Sequence, residues 1–112
     1  MGTNWTLYLD DERTPPPALA YSLPDSDRLV VCRSSQEAAD VCLANGMPTY
    51  MSLDHDLGGD DTTMVFLKRI VNEVWNGEES SIPAYIVHSA NPVGKLNIIA
   101  YMESWHKSCK LE

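Results

Sequence analysis

Basic side chains are scarce in this chain of 112 residues: eight Lys and Arg stand against sixteen Asp and Glu, a formal net charge of −8. A sequence-independent grip on a nucleic-acid backbone needs clustered Lys and Arg to displace counterions, so duplex DNA is not an expected partner. No apolar run approaches the roughly 20 residues of a membrane-spanning helix, and the N-terminus has neither the basic start nor the apolar core of a secretion signal. The three cysteines, Cys32, Cys42 and Cys109, are odd in number and show no CxxC spacing, which points to reduced thiols rather than a disulfide scaffold. A cytoplasmic protein with no membrane partner is the expectation. Internal repeats and low-complexity tracts are also missing. Residues 1–112 suit one domain, large enough to bury a modest core without metal or disulfide staples.

What the chain does have is polar chemistry gathered at the ends of three short apolar runs. Thr6-Leu7-Tyr8-Leu9 leads into Asp10-Asp11-Glu12-Arg13, and Thr49-Tyr50-Met51 leads into Ser52-Leu53-Asp54-His55-Asp56-Leu57-Gly58-Gly59. Downstream, Ala84-Tyr85-Ile86-Val87 leads into His88-Ser89-Ala90-Asn91-Pro92. Charged groups are costly to hold at strand ends, and open parallel α/β sheets build their sites in the crevice beyond the carboxyl ends of the strands. The acid is clustered there rather than spread over a face at phosphate-like spacing, which argues against a DNA mimic.

Trp5 to Leu9 reads as a first strand. Thr14-Pro15-Pro16-Pro17 forbids a regular helix directly after it, so the first crossover is expected to be irregular up to about Asp27. Arg28 to Cys32 reads as a second strand, continuous as in a strand buried on both faces. Ser34-Ser35-Gln36-Glu37 forms a capping box for a helix that ends at Asn45-Gly46 in a left-handed cap. Tyr50 to Leu53 is a third strand. A turn at Gly58 to Asp61 then precedes a helix from about Thr62, with Met64, Leu67, Val71 and Val74 at helical spacing, that Asn76-Gly77 terminates. Ala84 to Val87 is a fourth strand. Asn91 and Pro92 open the last helix as N-cap and first helical residue, with Ile98, Ile99, Met102 and Trp105 as its apolar stripe and His106 on its surface. Alternating strands and helices imply right-handed crossovers and a parallel sheet with helices on both faces. In the order 2-1-3-4 the first and third strands lie about 4.8 Å apart, so Asp10, Asp11 and Asp54 converge, and His88 and Ser89 come in beside Asp54 and His55.

Leu7 to Arg13, Ser52 to Gly58 and Val87 to Gly94 resemble, in order, the three motifs of the cyclic-phosphate processing receiver-like domains. These are small, divergent relatives of response-regulator receivers found in phages and bacteria. The resemblance implies a flavodoxin-like, receiver-like three-layer fold and the handling of cyclic phosphates of nucleotides or RNA ends in a bacterial or phage-infected host cell. It also makes Asp10 and Asp11 the acidic pair after the first strand, Asp54 the acceptor aspartate, and Ser89 the Ser/Thr after the fourth strand. In receivers those positions hold a divalent ion and the phosphoryl group. The chain departs from receivers in two ways: no fifth strand with its following lysine is visible, and His55 and His88 stand where receivers carry apolar or unreactive residues. It departs from the cyclic-phosphate processing relatives in one, since Gly59-Asp60-Asp61-Thr62-Thr63 replaces their Gly-Tyr-Asp-like step before the third helix.

Neighbouring carboxylates raise one another's pKa unless a cation joins them. Asp10, Asp11, Asp54 and Asp56 are therefore candidate ligands for Mg²⁺ or Mn²⁺, with Arg13 as an alternative source of balance. In-line cleavage of a phosphodiester needs a base for water and an acid for the leaving oxygen, and His55 and His88 are the candidates. Ser89, Asn91, Gly94 and Lys95, at a helix start, join Arg13 as candidate phosphate-binding residues. Three functions follow. The first is a phosphoesterase acting on a cyclic nucleotide or an RNA-end 2′,3′-cyclic phosphate. The second is a module that captures a cyclic nucleotide or nucleotide signal without turnover, such as a phage sponge against host defence. The third is a signalling receiver phosphorylated on Asp54, which the missing lysine and fifth strand disfavour.

Overall fold

The computed structural model of the protein describes residues 5–14 and 28–108. The four apolar runs form β1 (Trp5–Leu9), β2 (Arg28–Cys32), β3 (Tyr50–Leu53) and β4 (Ala84–Val87) in one parallel sheet of order β2-β1-β3-β4. Leu9 pairs with Cys32 on one side and Leu53 on the other, and Leu53 pairs with Val87. All four strands therefore end level, and the polar residues that follow them share one rim. Strand order reverses at β1 and β3, which makes their junction the switch point where such sheets bind ligands.

Three α-helices accompany the sheet among the described residues: α1 (Ser35–Asn45), α2 (Thr63–Glu73) and α3 (Pro92–Ser108), with a 3₁₀ turn at Glu79–Ser81. Side chains alternate across a strand, and Trp5, Leu7 and Leu9 of β1 with Met51 and Leu53 of β3 face the helices. There they form one core with Ala38 and Cys42 of α1, Phe66, Leu67 and Ile70 of α2, and Ile98, Met102 and Trp105 of α3. The two crossovers that leave β2 and β3 run the same way across the sheet, so right-handedness puts their helices on one face. The opposite face presents Thr6, Tyr8 and Ser52, all buried. The first crossover, read as irregular up to Asp27, lies outside the described residues. The architecture is flavodoxin-like and receiver-like, with no fifth strand among the described residues.

Several local readings shift. β2 lies at one end of the strand order, as expected, but of its residues, read as buried on both faces, only Cys32 is fully buried. Helix α2 ends at Glu73, ahead of Asn76-Gly77, because the N–H groups of Val74 and Trp75 both turn to the carbonyl of Ile70, at 3.1 and 2.8 Å. Its deepest residues are Phe66, Leu67 and Ile70, with Met64, Val71 and Val74 packed around them. Gly46 takes the positive φ of +88° that its position requires, with an extended ψ rather than a left-handed helical one. His106 is half-buried. No helix among the described residues is long and apolar enough to cross a membrane.

Candidate functional site

Asp10 follows β1 and is 1% exposed. Its Oδ1 accepts hydrogen bonds from the backbone N–H groups of Glu12 and Arg13, each at 2.9 Å, the local turn that an aspartate favours after a strand. Burial works to raise its pKa. The two N–H bonds and the His88 ring outweigh burial and hold the carboxyl below its ordinary value. Asp54 occupies the same place after β3, its N–H bonded to the carbonyl of Leu9 at 2.9 Å and its carbonyl accepting from the Thr63 hydroxyl. The adjacent strand ends thus bring Asp10, Asp11 and Asp54 together, with one carboxylate oxygen of each within 4.8 Å of the others.

His88, from the end of β4, reaches across β3 to β1. Its Nε2 lies 3.0 Å from Oδ2 of Asp10, its Nδ1 lies 2.8 Å from Oγ of Ser52, and its ring stacks on Tyr8 at 4.7 Å and 9°. A carboxylate can only accept, so Nε2 donates, and in the neutral ring Nδ1 accepts from the Ser52 hydroxyl. Both ring nitrogens are therefore engaged inside the protein. The guanidinium of Arg13 closes the arrangement, donating to the His88 carbonyl at 3.2 Å with its Nε 4.0 Å from Asp10.

His55 is held differently. Its Nδ1 donates to Oδ1 of Asp56 at 3.0 Å, and Asn91 donates to Oδ2 of the same carboxylate at 3.2 Å. These bonds, His55 first, hold the Asp56 carboxyl below its ordinary value. On its other side the His55 ring lies against α3 at Gly94, where a side-chain carbon would come within 2.7 Å of Cβ and Nδ1 of His55. Gly94 is present so that the imidazole can fit. Its N–H is committed to the Asn91 side chain at 3.0 Å, and that of Lys95 to the Asn91 carbonyl at 2.9 Å. Pro92 has none, so the first turn of α3 keeps little for an anion.

A polar cleft of about 380 Å³ opens over the strand ends, lined by Asp11, Arg13, Asp54, Asp56, Ser89 and Asn91 among others. Gly58, at φ +92°, passes it beside Asp11. His55, His88, Gly94 and Lys95 are not in that lining. Lys95 lies instead in a groove beside β4 with Tyr85 and Ile99. Asp56, expected with the metal-ligand aspartates, stands outside their cluster because His55 and Asn91 turn its carboxylate toward α3. Oxygens sharing an octahedral Mg²⁺ at its usual bond length are about 3 to 4 Å apart. The trio of Asp10, Asp11 and Asp54 fits such an ion after small movements, and its all-oxygen donor set suits Mg²⁺ or Mn²⁺.

The sequence model of the cyclic-phosphate processing receiver domain matches residues 5–104. The chain belongs to that family. No curated protein and no solved structure shows a significant similarity to it. As a cyclic-phosphate processing receiver domain, the chain places Asp10 and Asp11 of its first motif and Asp54 of its second in the trio, and the Ser89-to-Asn91 segment of its third in the cleft wall. The spacing argument does not point to Arg33, which donates from the end of β2 to the carbonyls of Asp10 (3.0 Å) and Arg13 and so anchors the loop that carries Arg13. The available signal was the strand order, which sets the end of β2 beside the end of β1. Ser52 was also legible, as the one polar residue between Met51 and Leu53 in a buried strand. Asp61 is a third such residue, accepting from the N–H and hydroxyl of Ser35 at 2.8 and 2.6 Å and tying the start of α1 to the site loop.

Proposed function

We propose that the protein is a phosphoesterase that opens a cyclic phosphate on a nucleotide or RNA end, with the phosphate seated in the cleft over β1, β3 and β4. The observation that supports this most is the cleft where Asp11 and Asp54 meet Arg13, Ser89 and Asn91, with the buried Asp10 beside those two carboxylates though outside the cleft lining. Carboxylates alone would repel a phosphate, so an anionic ligand enters only with a cation between them. Asp10, Asp11 and Asp54 would hold Mg²⁺ or Mn²⁺, which when bound neutralises phosphoryl charge and lowers the pKa of water. Arg13 pairs with a phosphoryl oxygen, and the Ser89 hydroxyl donates to another while its oxygen accepts the Asn91 N–H at 3.1 Å. In the reaction a water oxygen bonds to phosphorus, the ring ester P–O bond breaks, and the freed oxygen takes a proton.

The two histidines take different parts in this reading. With Nδ1–H directed at Asp56, neutral His55 keeps Nε2 as an acceptor, and it serves as the proton-transfer group. His88, engaged at both nitrogens, is a positioning residue that orients Asp10. A second reading, capture without turnover, draws support from the absence of either imidazole from the cleft lining.

One assay separates them. The protein, at a small fraction of substrate, is incubated with 2′,3′- and 3′,5′-cyclic nucleotides, cyclic oligonucleotides and RNA bearing a terminal cyclic phosphate, with Mg²⁺, Mn²⁺ or chelator. Ring-opened product in excess of protein, lost with chelator, is the expected result. His55→Ala should then lose roughly 10²- to 10⁴-fold in kcat. Stoichiometric binding with no product would establish the capture module instead.

A further inference from the structure

Strand β4 is an edge among the described residues, with β3 on one side and no strand on the other. An unpaired edge is a template for another chain unless it is blunted by charge, proline or a covering element. Among the described residues no strand or helix lies over this edge: Ile86 is 47% exposed in β4, and Leu96 is 65% exposed on the neighbouring α3. Between strand and helix runs a groove of about 490 Å³ lined by Tyr85, Ile86, Val87, Lys95 and Ile99. Lys95, the residue after the third motif, is a candidate phosphate-binding residue that the cleft lining leaves out.

We propose that this edge joins a second copy of the chain about a two-fold axis, β4 pairing antiparallel with β4 of the partner. The charge pattern selects that occupant. A two-fold interface must be self-complementary, so that whatever residue i meets, residue j meets in return. On α3, Lys95, Ile99 and Glu103 follow one another at intervals of one turn. Lys95 and Ile99 line the groove with Tyr85, and Glu103, one turn on, stands near enough to Tyr85 that its charge adds to burial in raising that hydroxyl's pKa. An antiparallel apposition centred on Ile99 sets each Lys95 opposite the other copy's glutamate. Strand and helix share that axis, because α3 runs back along β4 and places Lys95 toward Val87 and Glu103 toward Tyr85. Antiparallel β4 strands centred on Ile86 set Val87 opposite the other copy's Tyr85, on the same face, and superimpose the same two ends. The apolar residues Ile86 and Leu96 are covered at the same time.

The test is light scattering after size exclusion, together with sedimentation over micromolar to sub-millimolar protein, on the whole chain. The wild type is expected to reach twice the chain mass. Lys95→Glu and Glu103→Lys each set like charges opposite one another at two symmetry-related places, and each should weaken the dimer at least about tenfold. The double variant Lys95→Glu/Glu103→Lys should restore it. Both substitutions fall on exposed positions, and circular dichroism checks that the fold persists in all three variants. Ile86→Lys, on the edge itself, should leave a monomer. A wild type that stays monomeric throughout overturns the proposal, as does a dimer in which the single reversals change nothing or the double one fails to rescue.

Discussion

His88 crosses β3 to set its Nε2 3.0 Å from Oδ2 of the buried Asp10, while its Nδ1 sits 2.8 Å from Ser52. One imidazole thus ties three parallel strands together on the face opposite the described helices. Small side chains are what make the crossing possible: Ser52 leaves room over β3 and supplies the polar partner. His88→Ala should remove both bonds and leave Asp10 and Ser52 buried without them, costing about 1–3 kcal/mol. Urea denaturation reads this as a lower midpoint at unchanged slope. No change in midpoint would show that water replaces the ring without cost.

The site should answer to acid through Asp10. Its folded pKa lies below the ordinary value of 3.8, since the N–H bonds and His88 outweigh burial. A depressed pKa contributes stability that is fully present above the unfolded value and is lost as pH falls through the folded one. Unfolding free energies measured in chelator from neutrality down should therefore drop once pH passes below about 4. Asp10→Asn, whatever its cost at neutrality, should show a shallower drop in that window.

Cation binding should separate the aspartates. Millimolar Mg²⁺ or Mn²⁺ should raise the melting temperature by mass action, about 2.7 kcal/mol at a hundredfold excess over Kd. Asp54→Asn should abolish the rise. Asp56→Asn should keep it, because that carboxylate serves His55 and Asn91. Equal curves with metal and chelator would leave charge balance at the trio to Arg13.

Gly94 should tolerate no side chain while His55 is present. Gly94→Ala drives a methyl group into the imidazole, and overpacking of this kind costs about 1–3 kcal/mol. The two residues touch, so their effects should not add. In thermal melts Gly94→Ala should be markedly less harmful in a His55→Ala background than in the wild type.

Two thiols should be silent in the native state. Burial pushes Cys32 up to about 11 and Cys42 up to about 12, and the thiolate is the reactive form. Alkylation at pH 8, mapped by mass spectrometry, should reach either only after denaturation. A raised pKa contributes stability that is present below the unfolded value near 9 and lost as pH rises through the folded one. Unfolding free energy should therefore decline above pH 9, and less steeply in Cys42→Ala.

The sheet and its rim were legible in the chain because both follow from local rules. Apolar runs of four or five residues make strands, Ser34 and Asn91 accept the N–H groups of Glu37 and Gly94 as N-caps, and strand order puts Asp10 beside Asp54. The ends of these rules were less legible. A strand's burial depends on what covers its faces and its free side, so β2, rightly placed at the end of the order 2-1-3-4, was read as buried on both faces yet buries only Cys32 fully. The end of α2 was set by competing bonds at Ile70 rather than by the glycine after it.

The sequence by itself determined which chemical groups reach the rim: four aspartates, two histidines, an arginine and a helix start. Only the tertiary structure decided which way each one points. At a strand end the next residue can turn toward the crevice, back over the sheet or against the neighbouring helix, and spacing does not distinguish these. His88 turned back because Tyr8 and Ser52 offer a stacking face and a hydroxyl there. His55 turned toward α3 because Gly94 leaves a gap of its size, and Asp56 followed it. Asp11 and Asp54 kept the cleft, since carboxylates crowded at a switch point lose least solvation where water or a cation still reaches them.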